Sequence, residues 1–227
     1  AEKVVKGRTF DNGIICSGEQ SFIYHKDDRA AVMAAFTASG AYIVPETDRE
    51  KVISAIFEDG HIARDIVGQF PSVIAKKAGI SIPENTKVLV VEAHGYGNAD
   101  IISKEKMCPV LAAFPYSTID EAITIAKTNL ELEGNGHTAG IHSNTQEHVI
   151  KAASAISVSR FIVNAPCATT AGGSIQNGLA FTNTLGCGSW GNNSISENFT
   201  YKHLLNITRV ASLSPKVEVP SDEAIWN

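Results

Sequence analysis

The sequence predicts an α/β fold, a layered and mostly parallel sheet flanked by helices. Strand-like and helix-like segments alternate along the chain, the pattern of a parallel sheet with crossover helices. Lys87–Glu92 (KVLVVE) is a near-continuous apolar run, as a central strand covered on both faces must be. Hydrophobic residues make up 44% of the 227 and charged residues 19%, enough for a sizeable core in one large domain.

In chain order, Gln20–Tyr24 reads as a short strand. Asp27–Ser39 reads as a helix, because Ala30, Val32, Met33, Ala35 and Phe36 form an apolar stripe and Gly40 follows as a stop. Ala41–Val44 is a second strand. Thr47–Phe57 is a helix, with Thr47 as N-cap and Glu50 three residues on. Pro71–Ala78 is a helix with Pro in its first turn and Gly79 behind it. After the strand at Lys87–Glu92 comes another at Pro109–Phe114. Thr118–Leu130 is an amphipathic helix, capped by Thr118 with Glu121 three residues later. Ala139–His142, Thr145–Ala155 and Arg160–Asn164 read as strand, helix and strand. Residues 165–198 are rich in Gly, Ser, Thr and Asn. A loop that long in a compact chain is functional or firmly tied down. Tyr201–Asn206 reads as a helical turn, Ile207–Ala211 as a last strand and 214–227 as a Pro-containing tail.

Composition narrows the function. A net charge of -5 with no Lys/Arg cluster argues against nucleic-acid binding. No apolar run approaches the roughly 18 residues of a membrane span. The opening AEKVVKGR has no apolar signal region and no Met, so a processed or partial polypeptide is expected. Cys16, Cys108, Cys167 and Cys187 form no CxxC pair and have no His at zinc-ligand spacing; they read as reduced thiols of a cytoplasmic protein, with no metal site. No GxGxxG fingerprint follows a strand.

One segment carries nucleophilic chemistry. In FDNGIICSGEQ, residues 10–20, Asn12-Gly13 marks a tight turn. Cys16 then sits on a loop just before a strand, where a thiol is exposed and reactive and its amide N–H can serve an oxyanion. On spacing alone, a buried structural cysteine is the commoner role.

FDNGIICSGEQ resembles the nucleophile motif of CoA-acylating aldehyde dehydrogenases, such as the acylating succinate-semialdehyde, sulfoacetaldehyde and acetaldehyde enzymes. KEKMCPVL (104–111), EGNGHTAGIHS (133–143), SRFIVNAPCATTAGG (159–173) and TLGCGSWGNNSISENFTYKHLLN (184–206) follow in the family's order. The resemblance implies a catalytic domain over 1–227, an NAD-binding Rossmann domain outside this chain, and an oligomerisation strand in the tail 199–227. It implies that Cys16 attacks a small aldehyde, that NAD or NADP accepts the hydride, and that coenzyme A takes the acyl group from the Cys16 thioester. It assigns Glu105 to the nicotinamide ribose, whose hydroxyls a carboxylate accepts, and Met107 to packing beside the cofactor. His137 falls at the CoA step, and Asn164 and Thr169–Gly173 on the substrate funnel. The plainer readings are a solvated Glu105, a His137 that braces a Gly-rich turn, and turn chemistry at Asn164 and Thr169. Arg160 and Lys202 are candidates to receive a charged substrate. The family's homo-oligomers imply the same assembly here, and dehydrogenase activity is expected to be deficient in this chain alone. A non-catalytic oligomerisation or interaction module is the competing class, and a thiol hydrolase with a His base is a third.

Overall fold

A computed structural model describes residues 1–226. Its elements in chain order are α1 (Glu2–Thr9), β1 (Ser21–His25), α2 (Arg29–Ala38), β2 (Ala41–Ile43), α3 (Glu46–Ile56), β3 (Phe57–Glu58), β4 (His61–Ile62) and α4 (Pro71–Ala78). They continue with β5 (Val88–Glu92), β6 (Val110–Tyr116), α5 (Ile119–Leu132), β7 (Gly136–Ile141), α6 (Gln146–Ala155), β8 (Val158–Val163), α7 (Cys167–Thr170) and α8 (Asp222–Trp226).

Four strands form a parallel sheet in the order β1-β6-β5-β2, with β5 and β6 inside. Alternation sends successive side chains to opposite faces. Val88, Val90, Leu111 and Ala113 pack with Val5, Met33 and Phe36 of α1 and α2. Leu89, Val91, Val110, Ala112 and Phe114 pack on the other face with Val52 and Ile56 of α3, Ile74 of α4 and Ile125 of α5. The result is a helix–sheet–helix sandwich. The central strands are apolar throughout because neither face meets water. A second parallel pair, β7-β8, packs on α5 and α6 through Ile123, Ala152 and Ile156. Short β3-β4 is an antiparallel hairpin.

The alternating α/β reading therefore holds, with local corrections. α3 starts at Glu46, one residue before the expected cap, because Pro45 takes the N-cap position with extended backbone and no side-chain cap bond. Thr47 thus lies inside the helix. α1 was not expected; only Val4, Val5, Gly7 and Arg8 of its eight residues are buried, so its apolar signal is thin. Ile207–Ala211 is not a strand. It has no ladder partner within the described chain and stays exposed, Val210 to 91%, and a strand exists only through its ladder. Asn227 lies outside the described residues. Loop 165–198 is tied down as expected: buried Asn198 donates to the carbonyls of Ala171 and Ala180 at 2.9 and 2.7 Å. Among the described residues, no helix is long and apolar enough to cross a membrane.

Candidate active site

The loop that carries Cys16 is shaped by three successive residues in left-handed backbone, Asp11, Asn12 and Gly13, with φ of 50, 47 and 77°. Asn12 and Gly13 tolerate that region best. Gly13 is required twice over, because a Cβ there would lie 2.6 Å from the Cys108 carbonyl oxygen. Asn12 Nδ2 donates to Gly68 O at 3.1 Å. Beneath the loop, buried Arg8 of α1 donates Nη2 to the carbonyls of Lys106 and Cys108. The turn is thereby fastened to the 106–108 segment that leads into β6, and the chain emerges at exposed Cys16.

Cys16 opens onto a cavity of about 640 Å³. Its lining includes Phe22 and Ile23 of β1, Ile119, Ile123 and Leu130 of α5, and Ala139 and Ile141 of β7, with Glu105 and His137. Three expected residues from distant motifs, Cys16, Glu105 and His137, thus share one concave surface. Glu105 is exposed, and its backbone N–H donates to Glu133 Oε2 at 2.5 Å. That bond holds the main chain and leaves the carboxylate for a ligand. His137 Nδ1 lies 2.9 Å from Thr138 Oγ1. Burial, then the positive charge of Arg160, pushes the imidazole down to about 4, so the ring is neutral near pH 7.

The thiol is not depressed. Partial burial raises the Cys16 pKa and the charge of Glu105 adds to it, while the nearby backbone N–H groups of Cys16 and Ser17 pull the other way.

The other expected residues lie elsewhere. Met107 is outside the cavity lining, and its carbonyl accepts from Gly68 N at 2.8 Å. Asn164, with φ of 55° at the end of β8, spends its amide on the Ser143 backbone, accepting at 3.0 Å and donating at 2.9 Å. It locks the ends of β7 and β8 together, which is the turn-chemistry reading. Thr169 is exposed on α7 and does not line the cavity. Arg160 is 2% exposed and committed to protein acceptors, so it does not receive substrate. Lys202 sits on the surface beside Glu197 and His203, lining a separate concavity.

Sequence reasoning missed Glu19 and His142, both in the lining. Glu19 Oε1 accepts from Cys167 N at 2.6 Å, and Oε2 packs where any Gly7 side chain would stand. An acid three residues after Cys16 was visible, but its partners on α1 and α7 were not. Among the described residues, no group of three His, Cys, Asp or Glu is placed to hold a metal.

No protein-family profile matches the chain. It is 50% identical, over all 227 residues, to half of the succinate-semialdehyde dehydrogenase (acetylating) of Clostridium kluyveri. It is 37% identical to the sulfoacetaldehyde dehydrogenase of an Acholeplasma species, over 100% of this chain and 47% of that one. The crystal structure of an acetylating aldehyde dehydrogenase from Geobacillus thermoglucosidasius superposes with a TM-score of 0.88 at 36% identity, over 97% of this chain and 48% of that one. The chain spans about half the length of the curated relatives named here. In sequence and in fold, these residues correspond from end to end to about half the length of enzymes named as acylating aldehyde dehydrogenases.

Proposed function

We propose that this chain carries the acyl-transfer half of a CoA-acylating aldehyde dehydrogenase, working in the cytoplasm in a homo-oligomer of the longer polypeptide. The observation that carries the reading is the convergence of Cys16, Glu105 and His137 on one cavity. The Cys16 thiolate attacks the carbonyl carbon of a small aldehyde to give a thiohemiacetal. Loss of hydride and of the hydroxyl proton leaves a thioester on Cys16; the coenzyme A sulfur then attacks the acyl carbon, the Cys16 thiolate leaves, and the acyl group departs on coenzyme A. Bound NAD or NADP supplies the hydride acceptor together with a positive charge. The free carboxylate of Glu105 fits a ribose diol; Met107 packs outside the cavity and is not given a cofactor contact. His137 serves the CoA step. The names of the relatives favour succinate semialdehyde or sulfoacetaldehyde as substrate, with acetaldehyde as a further candidate.

Transfer from acyl-CoA back to the thiol needs no nicotinamide. Intact-mass analysis after mixing with acetyl-, propionyl- and succinyl-CoA, beside Cys16→Ala, tests it. The expected result is one acyl adduct, absent in the variant, with the preferred ester reporting the substrate. A folded chain that takes no acyl group, or takes it equally without Cys16, rejects the reading. NADH formation by this chain alone is expected to be deficient.

A further inference from the structure

We propose that Arg160, acting through Thr138, is a positioning residue that locks His137 as a neutral imidazole with its proton on Nε2. The ring then offers an N–H, not a lone pair, to the cavity it shares with Cys16. The inference rests on the placement of His137 at the CoA step proposed above.

The argument follows the hydrogens. Arg160 lies on β8 beside Thr138 in the β7 register. Its Nε–H donates to Thr138 Oγ1 at 3.2 Å, Nη1 to Gly186 O at 2.7 Å and Nη2 to His137 O at 2.8 Å. A guanidinium only donates, so Thr138 Oγ1 must accept. One of its two lone pairs faces the positive charge, and its own hydrogen needs an acceptor. Among the described residues, the acceptor within hydrogen-bond distance of that hydroxyl is His137 Nδ1, at 2.9 Å. Nδ1 therefore accepts, and in a neutral ring the proton resides on Nε2. Protonating Nδ1 as well would leave the Thr138 hydroxyl hydrogen without that acceptor and add positive charge beside a buried cation. The titratable groups that share the cavity are Cys16, Glu19, Glu105, Tyr116, Glu133, His142, His148 and Cys167. The carboxylates favour imidazolium, but burial and Arg160 outweigh them.

The chemical consequence is a donor rather than a base. The coenzyme A thiol loses its proton to solvent before attack. Its sulfur forms a bond to the acyl carbon of the Cys16 thioester, and the carbonyl pair moves onto oxygen. That oxyanion accepts a hydrogen bond from His137 Nε2–H, with no proton transferred. Collapse expels the Cys16 thiolate.

The test is a long-range ¹H–¹⁵N correlation spectrum of the ¹⁵N-His chain, with the His137 signals assigned by their loss in His137→Gln. The expected result is the Nε2–H neutral pattern in the native chain at pH 8 and at pH 6. Thr138→Val should give a mixed or Nδ1–H pattern, and Thr138→Ser should restore Nε2–H. An Nδ1–H or imidazolium pattern in the native chain, at either pH, overturns the proposal without any variant. So does an unchanged pattern in Thr138→Val. Deacylation of acyl-Cys16 by coenzyme A should slow tenfold or more in His137→Gln, at the low end of what loss of an oxyanion donor costs, about 10²–10³. If deacylation is unaffected while the spectra behave as stated, the relay stands and the assignment of His137 to the CoA step is what fails.

Discussion

The reactive sulfur is held in an environment that does not ionise it. Partial burial and the negative charge of Glu105 raise the Cys16 pKa, against two backbone N–H groups. A resting thiol whose pKa is raised is protected from adventitious oxidation, since the thiolate is the reactive form. The sign gives a test. Glu105→Gln removes a charge that disfavours the thiolate, so the pH midpoint of iodoacetamide alkylation at Cys16 should fall. An unchanged midpoint would mean that the carboxylate does not act on the sulfur and would weaken its assignment to this site. At this scale the sequence was informative where a motif names a residue by its neighbours: Cys16, Glu105 and His137 all reach the cavity. It misplaced Arg160, offered to a charged substrate but spent on protein carbonyls, and was silent on Glu19, whose partner Cys167 lies 148 residues away.

Elements were legible where local chemistry decides them. α4 runs from Pro71 to Ala78 as expected, with Gly79 left-handed at φ of 67°. α5 is capped as expected: Glu121 N–H donates to Thr118 Oγ1 at 3.2 Å, and Glu121 Oε2 accepts from Ser117 N at 2.7 Å. α3 shows the limit, because Pro45, not Thr47, holds its N-cap. The two threonines thus make a matched pair. Thr118→Ala should lower stability by about 1 kcal/mol, the usual cost of a lost cap. Thr47→Ala, inside a helix and without a cap bond, should change it by under about 0.5 kcal/mol. Chemical denaturation of both variants measures this; equal losses would refute the assignment. Ile207–Ala211 failed for a different reason. Its β-branched residues, Ile207, Thr208 and Val210, suit a strand, but a strand also needs an edge to pair with, and no local pattern supplies one.

Across the whole molecule, the nucleophile turn and the sheet are joined by two buried cations. Arg8 reaches from α1 to the carbonyls of Lys106 and Cys108, and Lys106 donates to those of Ile102 and Lys104 at 2.8 and 2.7 Å. Burial, reinforced by Arg8, pushes the Lys106 ammonium down to about 7 from 10.5. Between these values the unfolded chain binds more protons than the folded one, so folding stability should rise with pH through this window. Arg8, lowered to about 10, acts in the same direction at higher pH, and Cys108, raised to about 11, acts oppositely above pH 9. The interval from pH 7 to 9 therefore isolates Lys106 from both. The lowered α-amino group of Ala1 adds a gain of the same sign near pH 8, so the control is Lys106→Met, which keeps the stem and removes the titration. Urea midpoints at pH 7 and 9 should show the native chain gaining more than the variant, the difference being at most about 3 kcal/mol, the limit for one proton over two pH units. An equal gain in both would show that the lysine keeps its ordinary affinity for the proton, and that the junction beneath Cys16 is open to water.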